Sequence, residues 1–255
     1  MAAAPRYELL MFMRSHYNEK ARWALDWKGV PHRRTPLLPG PHAGRLQKLT
    51  GQTATPVLVV DGTPIAGSAQ IIDALERSHP EPPLYPSEPG ERERALEVQR
   101  FFDEEVGPKI RRALFSIMLA TPGYLTAVFA GHRAAPVRWL YRSALPLVET
   151  RMRRQMQIAE PHVAEAFEGT RRGFEWVEKH VGPSGYLVGD RFGVADLTAA
   201  ALLAPGLDVA HPDMRKPDPK PPGVEAWLSR WASYPAAAWV QEIYERHRPA
   251  RAPEA

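Results

Sequence analysis

The sequence predicts an α/β domain over residues 1–80 followed by an all-helical domain over residues 91–248, and three stretches carry that prediction. The first is Thr55 to Glu76, TPVLVVDGTPIAGSAQIIDALE. Val57 to Val60 is a β-branched apolar run that reads as a buried strand. Asp61-Gly62 is a hairpin turn pair, and Thr63 to Ala66 is the returning strand. Gly67-Ser68 then opens a helix with Ile71, Ile72 and Leu75 on one side and Ser68 as its N-cap. The second stretch is proline-rich, His79 to Gly90. It cannot continue a helix and makes a semi-rigid linker, placed at residues 81–90. The third is everything beyond it, where apolar residues recur at helical spacing.

Taken in order, Tyr7 to Met13 is an apolar run and the first strand, with Arg14-Ser15-His16 as the turn that leaves it. Tyr17, Ala21, Ala24 and Leu25 share one helical face, and Gly29 closes that helix. Pro31 to Leu38 reads as extended, and Ala43 to Leu49 as a poor, irregular helix. The order is β-α-β-α-β-β-α. After the linker, Val98, Phe102, Val106, Ile110 and Leu114 step by four along one long helix that Pro108 should kink. Leu114 to Gly131 lacks Asp, Glu, Lys and Arg, but Thr121-Pro122-Gly123 interrupts it. It reads as two buried helical pieces rather than a membrane span. Ala134 to Met156 is a basic amphipathic segment carrying Trp139, Leu140, Leu145 and Val148. Val163, Phe167, Phe174, Val177 and Val181 form the next stripe. Val194 to Leu203 is apolar all round and reads as a central buried helix. Ala204 to Gly223 is a long proline-rich loop. Helices around Trp227 and Trp239 follow, with a frayed tail after Arg248.

Composition narrows the function. A hydrophobic content of 44% supports a real core, and 24% charged residues is ordinary. The net charge is +4, with no compact basic block interleaved with aromatics, so nucleic acid is not expected as a partner and an anionic small ligand fits as well. The count of cysteines is 0, which removes disulfides, thiolate metal sites and a redox C-x-x-C pair. The histidines show no metal-ligand spacing, and no phosphate loop, G-x-S-x-G or nucleotide fingerprint is present, so no metal is expected. The N-terminus lacks the basic and long apolar regions of a secretory signal. A cytoplasmic protein without membrane association is the expectation.

The strand–hairpin–strand–helix unit entered through Thr55-Pro56 resembles the second half of the thioredoxin-like domain of glutathione transferases. A second signature, Gly185 to Asp196, is similar to the start of the core helix in that family's C-terminal domain. There Asp196 returns a bond to the cap residue, here Gly193, as a folding element. The resemblance implies a thioredoxin-like N-terminal domain, an all-α C-terminal domain, a homodimer, and glutathione as cosubstrate. It implies a cis bond before Pro56, with the backbone of Thr55 on the tripeptide and Ser68 at its γ-glutamyl carboxylate. A helix N-terminus, with free N–H groups and a positive dipole end, suits that carboxylate. Gly67 departs from the pattern, because many members carry an acid there that touches the tripeptide's α-amino group.

The run Ser15 to Leu25 resembles the active-site segment of the Ser-type members, the zeta and β-etherase-like groups. Ser15 would donate a hydrogen bond to the glutathione sulfur, since only the thiolate is a good nucleophile and hydrogen bonding lowers a thiol's pKa. Read without the resemblance, Ser15 is a helix N-cap. Asn18 is a second donor that shares or takes over this task. His16 is expected as an exposed turn histidine rather than a base, and Tyr17 as a core or pocket residue. Asp103 or Glu104 would replace the missing acid from a neighbouring chain, or form a solvated helix face. Arg45, Lys48 and Gln52 are candidates for the glycyl carboxylate. A pocket for a small hydrophobic electrophile is expected between the domains, lined by Phe12, Met13, Tyr17, Arg111, Arg112 and Phe115. The two arginines either hold an acidic substrate or face solvent. The function expected is thiol delivery to an electrophilic carbon, by conjugation, ether cleavage or thiol-assisted isomerisation. The alternative is a transferase-like binding module without catalysis, with Ala134–Met156 as its candidate membrane-attachment segment.

Overall fold

The first half of the chain builds a four-stranded mixed sheet in a computed structural model that describes residues 5–249. Its elements are β1 (Tyr7–Met11), α1 (His16–Trp27), β2 (Arg33–Pro36), α2 (His42–Thr50), β3 (Val57–Val60), β4 (Thr63–Ala66) and α3 (Ser68–Ser78). The strand order is β2-β1-β3-β4. The α1 crossover makes β2 parallel to β1, while the short connection makes β4 antiparallel to β3. β3 also pairs antiparallel with β1, Leu9 opposite Leu58 and Leu10 opposite Val57. Both central residues of the β3–β4 turn have positive φ, 48° at Asp61 and 89° at Gly62, the hairpin type that Asp-Gly favours. This is the thioredoxin-like arrangement expected.

The second half is helical: α4 (Pro89–Phe101), a π-helical turn (Phe102–Val106), α5 (Gly107–Met118), α6 (Pro122–Ala130), α7 (Ala135–Gln155), α8 (His162–His180), α9 (Val194–Leu203), α10 (Pro222–Ala232) and α11 (Pro235–His247). Every residue of α9 is buried, Asp196 and Thr198 included, and the other eight are apolar. Its N-terminus is set by Asp196, whose carboxylate accepts from the backbone N–H of Leu187 at 2.8 Å and of Gly193 at 3.0 Å. The linker is clamped to both halves. Glu76 accepts from the N–H groups of Leu84 and Tyr85 at 3.0 and 3.2 Å, and the Leu84 carbonyl accepts from Val194 N–H at 2.8 Å.

Several elements differ from expectation. The long helix kinked at Pro108 is instead two helices joined by the π turn. Pro108 lies in the first turn of α5, where its missing N–H breaks no helical bond. α2 is regular, although Leu46 is its one buried residue. Gly67, not Ser68, is the N-cap of α3, and Ser68 is its first residue. α1 is buried on nearly every side, because it packs against both α3 and α9. On α7 the expected apolar residues Trp139 and Leu140 are 72% and 65% exposed, and Tyr141, Leu145 and Met152 are the ones buried. Leu114 to Gly131 divides between the end of α5, a turn and α6, with Tyr124, Leu125, Val128 and Phe129 buried. Among the described residues no helix is long and apolar enough to cross a membrane. The extreme N-terminus, read against a signal, and most of the tail after Arg248 lie outside the described residues.

Arg248 itself is an anchor. Its guanidinium reaches Glu19, Asp26 and Asp213 at 2.7, 2.8 and 2.8 Å, and Arg34 and Arg22 share the same carboxylates. This buried network ties α1 and β2 to the strap 204–221 and to the end of α11. Glu19, His211 and Asp213 lie close enough to present donors to one cation, but their carboxylates are already neutralised by arginine.

Candidate active site

A cavity of about 450 Å³ lies between the sheet domain and the helices. Ser15 enters its wall at the N-terminus of α1, in extended backbone (φ −87°, ψ 128°). Its carbonyl accepts from Glu19 N–H at 2.7 Å, but its hydroxyl makes no capping bond and is left for the cavity. The preceding Arg14 has φ 57°, a left-handed conformation rare outside glycine. Its guanidinium donates to the carbonyls of Arg215 at 2.8 Å and Val128 at 3.2 Å, which pins the turn that presents Ser15.

Phe12, Met13, Tyr17, Arg111 and Phe115 line the cavity as expected, and so does Thr55. Tyr17 donates to the Asp103 carbonyl at 2.6 Å, and burial raises its pKa. Its hydroxyl lies 2.5 Å from where a Cβ on residue 107 would be, which explains a glycine at the start of α5. Asn18 does not reach the cavity. It is fully buried and donates from Nδ2 to Thr55 Oγ1 at 3.0 Å, so it fixes Thr55 from behind. Pro56 lies behind Thr55 across a cis bond, and its carbonyl accepts from Gly67 N–H at 3.0 Å. Ser68 is buried at the start of α3, off the cavity.

Three expectations are corrected. Arg112 turns away from the cavity and donates to the Met156 carbonyl at 2.6 Å and to Gln157 at 3.1 Å. His16 is buried rather than exposed, with Nε2 3.0 Å from the Gly107 carbonyl. A carbonyl only accepts, so Nε2 carries the proton. Burial, reinforced by the nearby Arg111 charge, pushes its pKa down to about 3, which keeps the ring neutral. Asp103 is no solvated acid, since it pairs with the buried Lys20 at 2.6 Å. The space a side chain at Gly67 would take is filled by the end of the Gln70 side chain, and Gly67 has φ 98°. Of the other candidates, Glu104 and Lys48 are exposed, Arg45 faces Glu8 at 3.5 Å, and Gln52 folds onto the backbone of Ala54.

The remaining walls were missed in the sequence. Val148, Met152 and Met156 come from α7 and its end, Arg151 stands beside them, and Met214 and Lys216 come from the strap. The i, i+4 spacing of Val148, Met152 and Met156 was the available signal on α7. Nothing local marks Lys216 among the prolines. Its buried ammonium donates to the carbonyl of Leu207, and burial pushes its pKa down to about 8. Among the described residues the cavity wall holds no carboxylate, while Arg14, Arg111, Arg151 and Lys216 are all cationic.

A thioredoxin-like domain docked on a helical bundle, with a helix N-terminus opening on the cavity between them, defines the class. Family models for the N-terminal and C-terminal domains of glutathione S-transferase match residues 9–83 and 160–230, and the chain belongs to that family. A curated relative, a probable maleylacetoacetate isomerase of Caenorhabditis elegans, is 30% identical over 102 residues. That match spans 39% of this chain and 48% of the relative. Solved structures share the fold. A glutathione S-transferase from Xanthobacter autotrophicus Py2 superposes with a TM-score of 0.64 at 19% identity, covering 97% of each chain. The β-etherase LigF from Sphingobium sp. strain SYK-6 gives 0.59 at 23% identity, covering 94% of this chain and 99% of that one. A Methylobacterium radiotolerans transferase in complex with glutathione sulfonate gives 0.56 at 22%, covering 98% and 96%.

Proposed function

We propose that this chain is a glutathione-dependent transferase in which Ser15 stabilises the glutathione thiolate and the adjoining cavity holds a hydrophobic electrophile. The observation that carries this reading is the Ser15 hydroxyl, free of any capping bond on the cavity wall at the N-terminus of α1. A free thiol titrates near ~8.5 and reacts as the thiolate. A hydroxyl donor and the positive end of a helix dipole both favour the charged form. The thiol proton leaves to bulk water, because His16 spends Nε2 on the Gly107 carbonyl and, among the described residues, the cavity wall carries no carboxylate. Thr55, Pro56, Gly67 and Ser68 form the tripeptide's binding edge, with the first-turn N–H groups of α3 facing its γ-glutamyl carboxylate. Asn18 positions Thr55 rather than touching sulfur. The walls then hold the electrophilic carbon next to the thiolate for conjugation, ether cleavage or isomerisation. Like the family it resembles, the protein is proposed to work as a cytoplasmic homodimer.

Gly67 favours a second reading, a binding module without thiol chemistry, because it removes a charge-assisted contact worth ~1.5–3 kcal/mol. Calorimetric titration with glutathione separates the two. The transferase reading expects sub-millimolar binding that Ser68→Ala abolishes. It also expects Ser15→Ala to bind glutathione but to lower the bound thiolate fraction at neutral pH, with turnover reduced about tenfold to a hundredfold. No binding at several millimolar would leave the module.

A further inference from the structure

The cavity is unevenly furnished. Its body is apolar, built from Leu114, Phe115, Met118, Phe129 and Met152, yet every charged group on its wall is positive. Three of those cations are committed or peripheral. Arg14 donates to two carbonyls, Lys216 to the Leu207 carbonyl, and Arg151 lies at an exposed position of α7. Arg111 differs. Among the described residues it has no ion pair and no hydrogen bond, and its buried Nε has no acceptor. Its one close electronic partner is the face of Tyr17, 5.9 Å from the guanidinium carbon to the ring centroid, at the edge of useful range. Burying a guanidinium without an acceptor is costly, and the cost is recovered when an anion enters.

We propose that Arg111 is the anion-recognising residue of this cavity, and that the electrophile is a lipophilic organic acid. Its carboxylate pairs with the Arg111 guanidinium while its apolar body lies along Leu114, Phe115, Phe129 and Met152. A planar guanidinium is suited to a carboxylate, which it meets with two parallel bonds. The absence of any wall carboxylate removes the competitor that would otherwise occupy it. A cavity of about 450 Å³ admits a one- or two-ring acid beside a thiol. The proposal deepens the transferase reading by naming its substrate class, but the binding it asserts does not need glutathione.

The test is equilibrium binding of two probes of equal shape and different charge, 2-naphthoate and 2-naphthamide, to the full chain at neutral pH. The wild type should bind naphthoate at least about tenfold more tightly than naphthamide, as expected for one charge-assisted pair. Arg111→Met should abolish that preference with naphthamide affinity retained, and Arg111→Lys should keep part of it. Equal affinity in the wild type, a preference that survives Arg111→Met, or no binding of either probe overturns the proposal. Glutathione calorimetry on the same samples is read separately. A naphthoate preference without glutathione binding keeps the anion site and rejects the transferase, and the converse rejects the site alone.

Discussion

Two helices that line the cavity, α1 and α7, are held in opposite ways. α1 is buried on nearly all sides, and its charged residues are paired: Glu19 with Arg22 and Arg248, Lys20 with Asp103, and Asp26 with Arg34 and Arg248. α7 buries three residues and leaves Val137, Trp139, Leu140 and Leu147 at 42%, 72%, 65% and 79% exposure. A helix rich in charge lies inside and a helix with a prominent apolar stripe lies outside. Burial here follows from what surrounds a helix, not from its own composition. The wall that presents Ser15 is over-determined by directional contacts, while the wall that meets the proposed electrophile is anchored at a few points.

The largest expected effect comes from breaking the α1 side. Arg248 neutralises three carboxylates whose side chains are 0%, 0% and 13% exposed. Burial alone would raise the Glu19 pKa, but Arg248 and Arg22 hold it below its usual value. Arg248→Met strands those carboxylates and should cost ~3–5 kcal/mol, read from the midpoint of denaturant unfolding. A loss below about 1 kcal/mol would show that Arg22 and Arg34 carry the network without it.

The same side sets the acid limit of stability. His16 is neutral in the fold, with its pKa pushed from 6.5 down to about 3. The unfolded chain therefore binds the extra proton first. This contribution is complete above about pH 6.5 and is lost as pH falls toward 3, at up to ~1.4 kcal/mol per pH unit. Asp213, held down to about 2 by three arginines against its burial, adds a second loss in the same direction between its unfolded value and 2. His16→Gln keeps a donor for the Gly107 carbonyl and cannot titrate. It should make the stability profile between pH 6 and 4 shallower, the remaining slope coming from His42, His132, His211 and His247, whose pKa values burial also lowers, while leaving the steeper fall below pH 4. An unchanged slope would place the proton uptake elsewhere.

What was legible in the sequence follows the same division. The β3–β4–α3 unit and α9 could be read because their determinants are local: a β-branched run, a turn pair, and a mostly apolar run of helix, although the cap of α3 is Gly67 and not Ser68. The Ser15 turn was legible by resemblance and by its place after β1. The α1 network was not, because its partners stand far apart in the chain, as Arg22 and Arg248 do from Asp213. Nothing near residue 248 marks it as an anchor, and His16 was misread because its acceptor, Gly107, comes from a different domain. α7 was misread for a complementary reason. Tyr141, Leu145 and Met152 follow helical spacing on the buried side, but Trp139, Leu140 and Leu147 add a second apolar face, so the pattern offered two sides for the core.

The smallest effects belong to α7, and they test whether its attachment is as sparse as it looks. The Tyr141 hydroxyl donates to the Pro39 carbonyl at 3.0 Å in a buried setting, one of few polar ties between this helix and the sheet domain. Tyr141→Phe removes the donor and leaves the carbonyl without it, at a cost of ~1 kcal/mol. Amide exchange along α7 should rise with little change in α1. Leu147→Ser and Trp139→Ser act on side chains that are mostly in solvent and should change stability by less than ~0.5 kcal/mol. If either costs more than 1 kcal/mol, the stripe is covered in solution. A cost that depends on protein concentration would identify the cover as a second copy of the chain. The contrast between the walls would then be a property of the isolated subunit rather than of the working assembly.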